Sequence, residues 1–205
     1  MDQALDHFSR ISGFGRAAPL LILILAANLA ITALHSWQEW KGAGAPLWRN
    51  FGAIVGVKIP DGLGFVFFTL VLTLTLWALG LIGIAGWFPV AGAVSAGCAA
   101  FALGALIGAR VSDTLVSHVL PHLVGYRPNP GLSSTPLYIF EAVFIAVAFH
   151  AGLAADPASA RCGMFVGAIA FVLVLPLLWL LRWLKPDWRR ERWQRWQKMP
   201  AWAQR

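Results

Sequence analysis

Hydrophobic positions in this chain gather into five long runs, at about residues 17–35, 63–84, 92–121, 135–152 and 162–184, parted by short stretches rich in Gly, Pro and charge. Each approaches the ~20 apolar residues that an α-helix needs to cross a bilayer. The pattern therefore predicts helices that span a membrane. Within the first run the apolar sequence is interrupted at Asn28, Thr32 and His35, and just past it at Glu39. At 3.6 residues per turn these four positions fall on one face, with His35 and Glu39 one above the other. Such a stripe is not aimed at lipid, because an unpaired polar group in hydrocarbon is expensive. It is expected to face other helices or a small wet cavity, where ionisable side chains are functional candidates.

The later runs add punctuation of their own. The Trp87-Phe88-Pro89 stretch predicts a tight turn and an antiparallel hairpin of the second and third spans. The third run carries Gly92, Ala96, Ala100, Gly104, Gly108 and Ser112 at four-residue spacing. Small residues at that interval let another helix backbone approach closely, which places this span at the bundle centre. No breaker appears before Pro121, so the same helix is expected to continue and present Arg110, Asp113, His118 and His122. Tyr126-Arg127-Pro128-Asn129-Pro130-Gly131 must then turn the chain. Thr135-Pro136 reads as an N-cap followed by proline in the first helical turn. Glu141 follows one and a half turns in, roughly 8 Å along the axis, as the most deeply placed acid. Asp156-Pro157 reads as a further turn, and Pro176 as a kink in the fifth span.

Composition supports the membrane reading. With 59% hydrophobic and 12% charged residues, a soluble domain of this size would lack polar surface. The expected fold class is all-α, a polytopic transmembrane helical bundle of about five spans over residues 1–184, followed by a basic amphipathic tail at 185–205. The net charge of +7 does not point to nucleic acid, because half of the Lys and Arg residues lie beyond Leu181, interleaved with Trp. A segment of that kind lies on an anionic leaflet, so anionic lipids are its expected partners. With five spans, thirteen basic residues fall on the tail side and three on the other. The positive-inside rule then puts the C-terminus in the cytoplasm of a bacterial inner membrane, with the first run kept as a signal anchor. Cys98 and Cys162 have neither metal-site nor redox-motif spacing and are expected to be small core residues.

Alternating spans bring the end of the first, the end of the third and the start of the fourth to one membrane face, whichever way the bundle is inserted. His35, Glu39, Asp113, His118, His122 and Glu141 can thus share one layer. Imidazole with carboxylate is the ligand set of zinc, non-haem iron or manganese, and bundle interiors build such sites from facing helices. His35 with Glu39, and His118 with His122, have chelating spacing. Pro121 biases Leu120 away from helical geometry, however, so the second pair need not share a face. Without a metal the same groups can relay protons or hold a polar headgroup, with Arg127 as an anion clamp.

His35-Ser36-Trp37-Gln38-Glu39-Trp40, the histidines after the third span, and Tyr126-Arg127-Pro128-Asn129-Pro130-Gly131-Leu132-Ser133-Ser134-Thr135 resemble the HXXEE-motif family of small bacterial membrane proteins. The likeness covers about residues 17–150 and leaves out the fifth span and the tail. This chain departs from the family pattern at Gln38, where a first Glu is expected, and by extra residues in the Pro-Gly stretch. The resemblance supports where the site lies and implies no established activity.

The leading expectation is a membrane-embedded enzyme acting on a lipid or lipid-soluble substrate, with a divalent metal such as zinc or iron. His35, Glu39, His118 and His122 would be ligands, Glu141 or Asp113 the acid/base, and Arg127 and Gln38 substrate contacts. The alternative is a non-catalytic subunit or assembly factor bound to another membrane protein. A transporter is disfavoured, since the chain shows no internal repeat.

Overall fold

The computed structural model describes residues 14–41, 46–49, 59–87, 94–123 and 129–173, with isolated positions 52, 176 and 180. Among them every regular element is helical. Helix α1 (Phe14–Lys41) is followed by α2 (Asp61–Ile84) and α3 (Ala96–Leu123). A short 3-10 turn, Leu132–Ser134, leads into α4 (Thr135–Ala148). Then come α5 (His150–Ala155) and α6 (Pro157–Val172). Three helices are long and apolar enough to cross a membrane: Pro19–Lys41 of α1, α2 and α3. Leu132–Ala148 and α6 are apolar but shorter.

Several boundaries differ from the sequence expectation, each for a local reason. The first helix does not end at His35 but runs on to Lys41, which keeps the whole polar stripe on one rigid rod. The fourth run breaks at Phe149, whose φ of −105° and ψ of 17° lie outside helical values, before resuming as α5. The sixth helix starts at Pro157 rather than near Cys162, because Asp156 caps it by accepting the Ser159 N–H at 3.1 Å. That N–H holds the Asp156 carboxyl below the usual carboxylate range. Residues 88–93, the chain on either side of Pro176 and the tail at 185–205 lie outside the described residues, as do Gly92, Phe51 and Ile54.

Helix α3 is the central element, as its small residues predict. Its most apolar window is 72% buried, against 33% for α1 and 17% for α2. The closest packing is with α6. A Cβ on Gly104 or Gly108 would run into the Ala160 or Met164 carbonyl, and one on Gly163 or Gly167 into the carbonyl of Phe101 or Ala105. One helical turn further, Ser112 Oγ donates to the Ala168 carbonyl at 2.8 Å. The matched order of these contacts makes α3 and α6 parallel, backbone against backbone, which is how helices associate where no hydrophobic drive separates protein from lipid. Gly104→Val is therefore expected to push α6 off α3 and lower stability by about 1–3 kcal/mol. An unfolding titration in mixed micelles would read this, and an unchanged midpoint would deny the contact its weight.

The interior is graded along the bundle axis. At one end the core is apolar, built from Leu21, Ile24, Ile84, Leu103, Leu106 and Phe149 among others. Toward the other end it becomes polar, with Asn28, Thr32, His35, Arg110, His118 and Glu141 all buried. The outer surface is the reverse: Leu23, Phe140, Val147 and Phe165 are each more than 60% exposed. Apolar outside and polar inside is the arrangement that a bilayer, not water, rewards. Cys98 and Cys162 belong to that outer surface, since both are exposed. The expectation that they are core residues is thus corrected. A thiol is a small, weakly polar group, at ease against lipid, and the positions against the neighbouring helix go to glycine and alanine instead.

Candidate metal centre

The stripe on α1 is buried throughout, with Asn28 and Thr32 at 0% exposure, His35 at 1% and Glu39 at 7%. Opposite it stands the last part of α3, which leaves regular α-helical geometry. Asp113–Val119 is a widened turn with i→i+5 hydrogen bonding, lying just ahead of Pro121. Proline removes one helical donor and its ring clashes with the carbonyl four residues back. A local π-type turn relieves both, and such turns recur at functional sites. Widening also brings residue i+5 nearly over residue i. Asp113 and His118, which an ideal α-helix would splay apart, therefore face α1 together.

Four side chains converge there. The ligand atoms of His35, Glu39, Asp113 and His118 all lie within 4.8 Å of one another, and all four residues are buried, so the group could hold a metal ion. His35 Nε2 is 3.1 Å from His118 Nε2, 3.4 Å from Glu39 Oε1 and 3.2 Å from Asp113 Oδ2. His118 Nε2 is 3.4 Å from Glu39 Oε1 and 3.8 Å from Asp113 Oδ2. Metal–ligand bonds of 2.0–2.1 Å in a tetrahedron require donor atoms about 3.3 Å apart. The five separations that involve an imidazole, 3.1–3.8 Å, scatter around that value.

The hydrogen bonds behind the rings set their protonation. Ser134 Oγ gives its own proton to the Gly131 carbonyl at 2.8 Å, so it accepts from His35 Nδ1 at 2.7 Å. Asn129 Nδ2 donates to the His118 carbonyl at 2.8 Å, which turns Asn129 Oδ1 toward His118 Nδ1 at 2.9 Å. Both imidazoles thus carry hydrogen on Nδ1 and direct the Nε2 lone pair inward. An outer partner that fixes the tautomer and aims the free nitrogen is what metal-ligating histidines have. Two lone pairs and two carboxylates at these distances repel one another. The centre needs a cation, supplied by a metal ion or by protons shared between the rings.

One turn deeper lies a second polar layer. Arg110 Nε stands 2.9 Å from Glu141 Oε2, with both side chains buried. Asn28 Nδ2 donates to Glu141 Oε1 at 2.7 Å, and Arg110 Nη2 donates to Thr32 Oγ1. The Arg110 guanidinium also rests on the Tyr138 ring, 3.8 Å from its centroid, and His35 covers that ring with a centroid separation of 4.1 Å. Tyr138 therefore links the two layers.

Each residue singled out in the sequence has a definite place. His35, Glu39 and His118 meet as expected. Asp113, expected as an acid/base, lies with them, its Oδ2 3.2 Å from His35 Nε2. His122 is outside this group, as the proline between the two histidines allows. Glu141 is committed to Arg110 and Asn28 rather than to the imidazoles. Gln38 accepts from Ser133 Oγ at 3.1 Å on the exposed rim. Arg127 lies outside the described residues. What sequence reasoning missed is the outer support: Asn129, Gly131 and Ser134, all from the Pro-Gly turn, and Tyr138 from α4. The available signal was the cluster of short polar residues around Pro130-Gly131, placed directly before a helix whose start must face the histidines.

On the far side of α1, at the same end of the bundle, is an open cavity of about 480 Å³ walled by Trp40, Trp48 and Phe65, with Lys41, Arg49 and Asp61 at its edge. No family model, curated protein or solved structure matches this chain.

Proposed function

We propose that this protein is a membrane-embedded metalloenzyme that binds one divalent ion through His35, Glu39, Asp113 and His118 and acts on a lipid or lipid-soluble substrate. The observation that carries the reading is the pair of imidazoles, each backed at Nδ1 by a serine or asparagine oxygen, whose Nε2 atoms face each other at 3.1 Å beside two carboxylates. When present, the ion supplies Lewis-acid polarisation of a substrate oxygen or lowers the pKa of a bound water. Neutral imidazole and carboxylate suit zinc or non-haem iron better than calcium or magnesium, which prefer all-oxygen sites. A divalent ion would also neutralise the two carboxylates, and Arg110 already neutralises Glu141. The buried interior would then carry no net charge, as a bilayer demands.

The five-span count, the inner-membrane location with the basic end in the cytoplasm, and the attraction of the tail to anionic lipid belong to the same proposal. So does the likeness to the HXXEE-motif family. The alternating directions of the described helices support the span count. Asn28 pairs with Glu141 and His35 with Ser134, so α1 and α4 are antiparallel, and α3 and α6 are parallel.

Elemental analysis of the protein purified in detergent tests the reading. About one equivalent of zinc or iron is expected in the wild type, and a metal content near zero in His35→Ala and in His118→Ala. Metal-free wild-type protein that takes up none on addition would sink it. A second reading, a non-catalytic subunit with a structural ion, draws support from one feature: four protein donors fill a tetrahedral site, as in structural zinc centres, whereas catalytic ones keep a position open.

A further inference from the structure

The four donors are not held alike. His35 is fixed by Ser134 and by the face of Tyr138. His118 is bound twice to Asn129, through its ring and through its carbonyl. Asp113 is carried on the widened segment of α3, the most buried of the three long helices. Glu39 differs from all three. It sits in the last turn of α1, and its polar contacts among the described residues are the two imidazoles, each at 3.4 Å. Its side chain is also the most exposed of the four at 9%, against 6% for Asp113, 2% for His35 and 0% for His118. Beside it Gln38 meets Ser133 on the exposed rim, so the shallow side of the centre is the Glu39 side.

We infer that Glu39 is the exchangeable ligand, and that its carboxylate marks the position where an oxygen atom of an incoming molecule (a carboxylate, hydroxamate or phosphoryl oxygen) reaches the metal. The inference rests on the metalloenzyme reading and removes the feature that favours a structural ion. With Glu39 displaced, His35, His118 and Asp113 remain as three firmly supported ligands and one position opens, which is the catalytic pattern for zinc. The glutamate has the reach for such a movement, since its side chain is one methylene longer than that of aspartate and no described polar group outside the centre holds its carboxylate.

The test uses the full chain in detergent micelles, loaded with Co²⁺ as a spectroscopic probe, and acetohydroxamate as the oxygen-donor ligand. Glu39→Gln and Glu39→Ala are expected to keep one equivalent of cobalt with an affinity loss of no more than about tenfold. His35→Ala, His118→Ala and Asp113→Ala should lose about 100-fold or more, beyond the range seen for outer-shell changes. Acetohydroxamate should shift the visible cobalt bands of the wild type and bind Glu39→Ala about tenfold more tightly, because no carboxylate then has to leave. Helix content by circular dichroism identifies any variant that has simply failed to fold, and Glu39→Gln, which keeps shape and polarity, then decides. If the wild type takes up no cobalt, the metal reading falls and this inference with it. If the wild type binds cobalt but both Glu39 variants lose it as completely as His35→Ala, or if acetohydroxamate leaves the bands of wild type and Glu39→Ala unchanged, the inference alone is overturned.

Discussion

Arg110→Met is expected to destabilise the bundle by about 3–5 kcal/mol, because it strands the Glu141 carboxylate in the interior without its counter-charge. The Arg110 side chain is fully buried and Glu141 nearly so, and in a bilayer no water stands close enough to take over from a lost partner. Glu141→Leu alone should cost a similar amount by leaving the guanidinium unpaired. The double variant, Arg110→Met with Glu141→Leu, should recover most of the loss, since two apolar side chains of like volume replace two charges that no longer need each other. Unfolding titrations in mixed micelles on the four proteins close this cycle. Single variants that unfold at the wild-type midpoint would mean that the pair is solvated or absent. Metal content adds a second readout. No donor of the upper layer belongs to the Arg110–Glu141 pair, so the double variant should still bind its ion. A double variant that is stable but metal-free would show instead that the two layers act together through Tyr138, which lies between Arg110 and His35.

The stripe on α1 was legible in the sequence because nothing but helical periodicity is needed to see it. Asn28, Thr32, His35 and Glu39 are consecutive members of one face, and no competing interaction disturbs a regular helix. The meeting of the ends of α1 and α3 with the start of α4 was legible for a similar reason, since helices that alternate in direction leave little choice about which ends lie together. The small residues on α3 foretold a close neighbour. They could not say which one, and the reciprocal Gly163 and Gly167 on α6 were passed over, because a glycine in an apolar run carries no sign of its partner. The assignment of Asp113 and His122 depended on something periodicity cannot supply. A run read at 3.6 residues per turn sets His118 over His122 and turns Asp113 away, whereas the widened turn ahead of Pro121 shifts the phase and pairs Asp113 with His118. The proline was visible, but the way in which the helix accommodates it was not. Arg110 was read only as one more polar group near a helix end. Its pairing with Glu141 is a contact between α3 and α4, and only tertiary packing determines it.

Gly131→Ala is expected to lower metal affinity by about 10–100-fold, the range for losing outer-shell support, although Gly131 donates nothing to the ion. Two constraints meet at this residue. Its φ of +86° is a left-handed conformation that alanine adopts only at a cost. A Cβ there would stand 2.7 Å from His118 Cε1 and 3.1 Å from both Glu39 Cγ and His35 Cε1. The glycine thus lies against three of the four donors, and the turn that contains it carries Asn129 and Ser134, which orient both rings. Displacing the turn to admit one methyl group would loosen both imidazoles at once. Gly131→Asn separates the two constraints, because asparagine tolerates positive φ but still brings a Cβ. Equal loss in both variants would assign the effect to space above the ligands, while a deficit confined to alanine would assign it to the backbone. Competition with a chelator measures both affinities. Retention of wild-type affinity by both variants would mean that the turn does not bear on the centre, and that the serine and asparagine contacts to His35 and His118 leave the ligands as free as they would be without them.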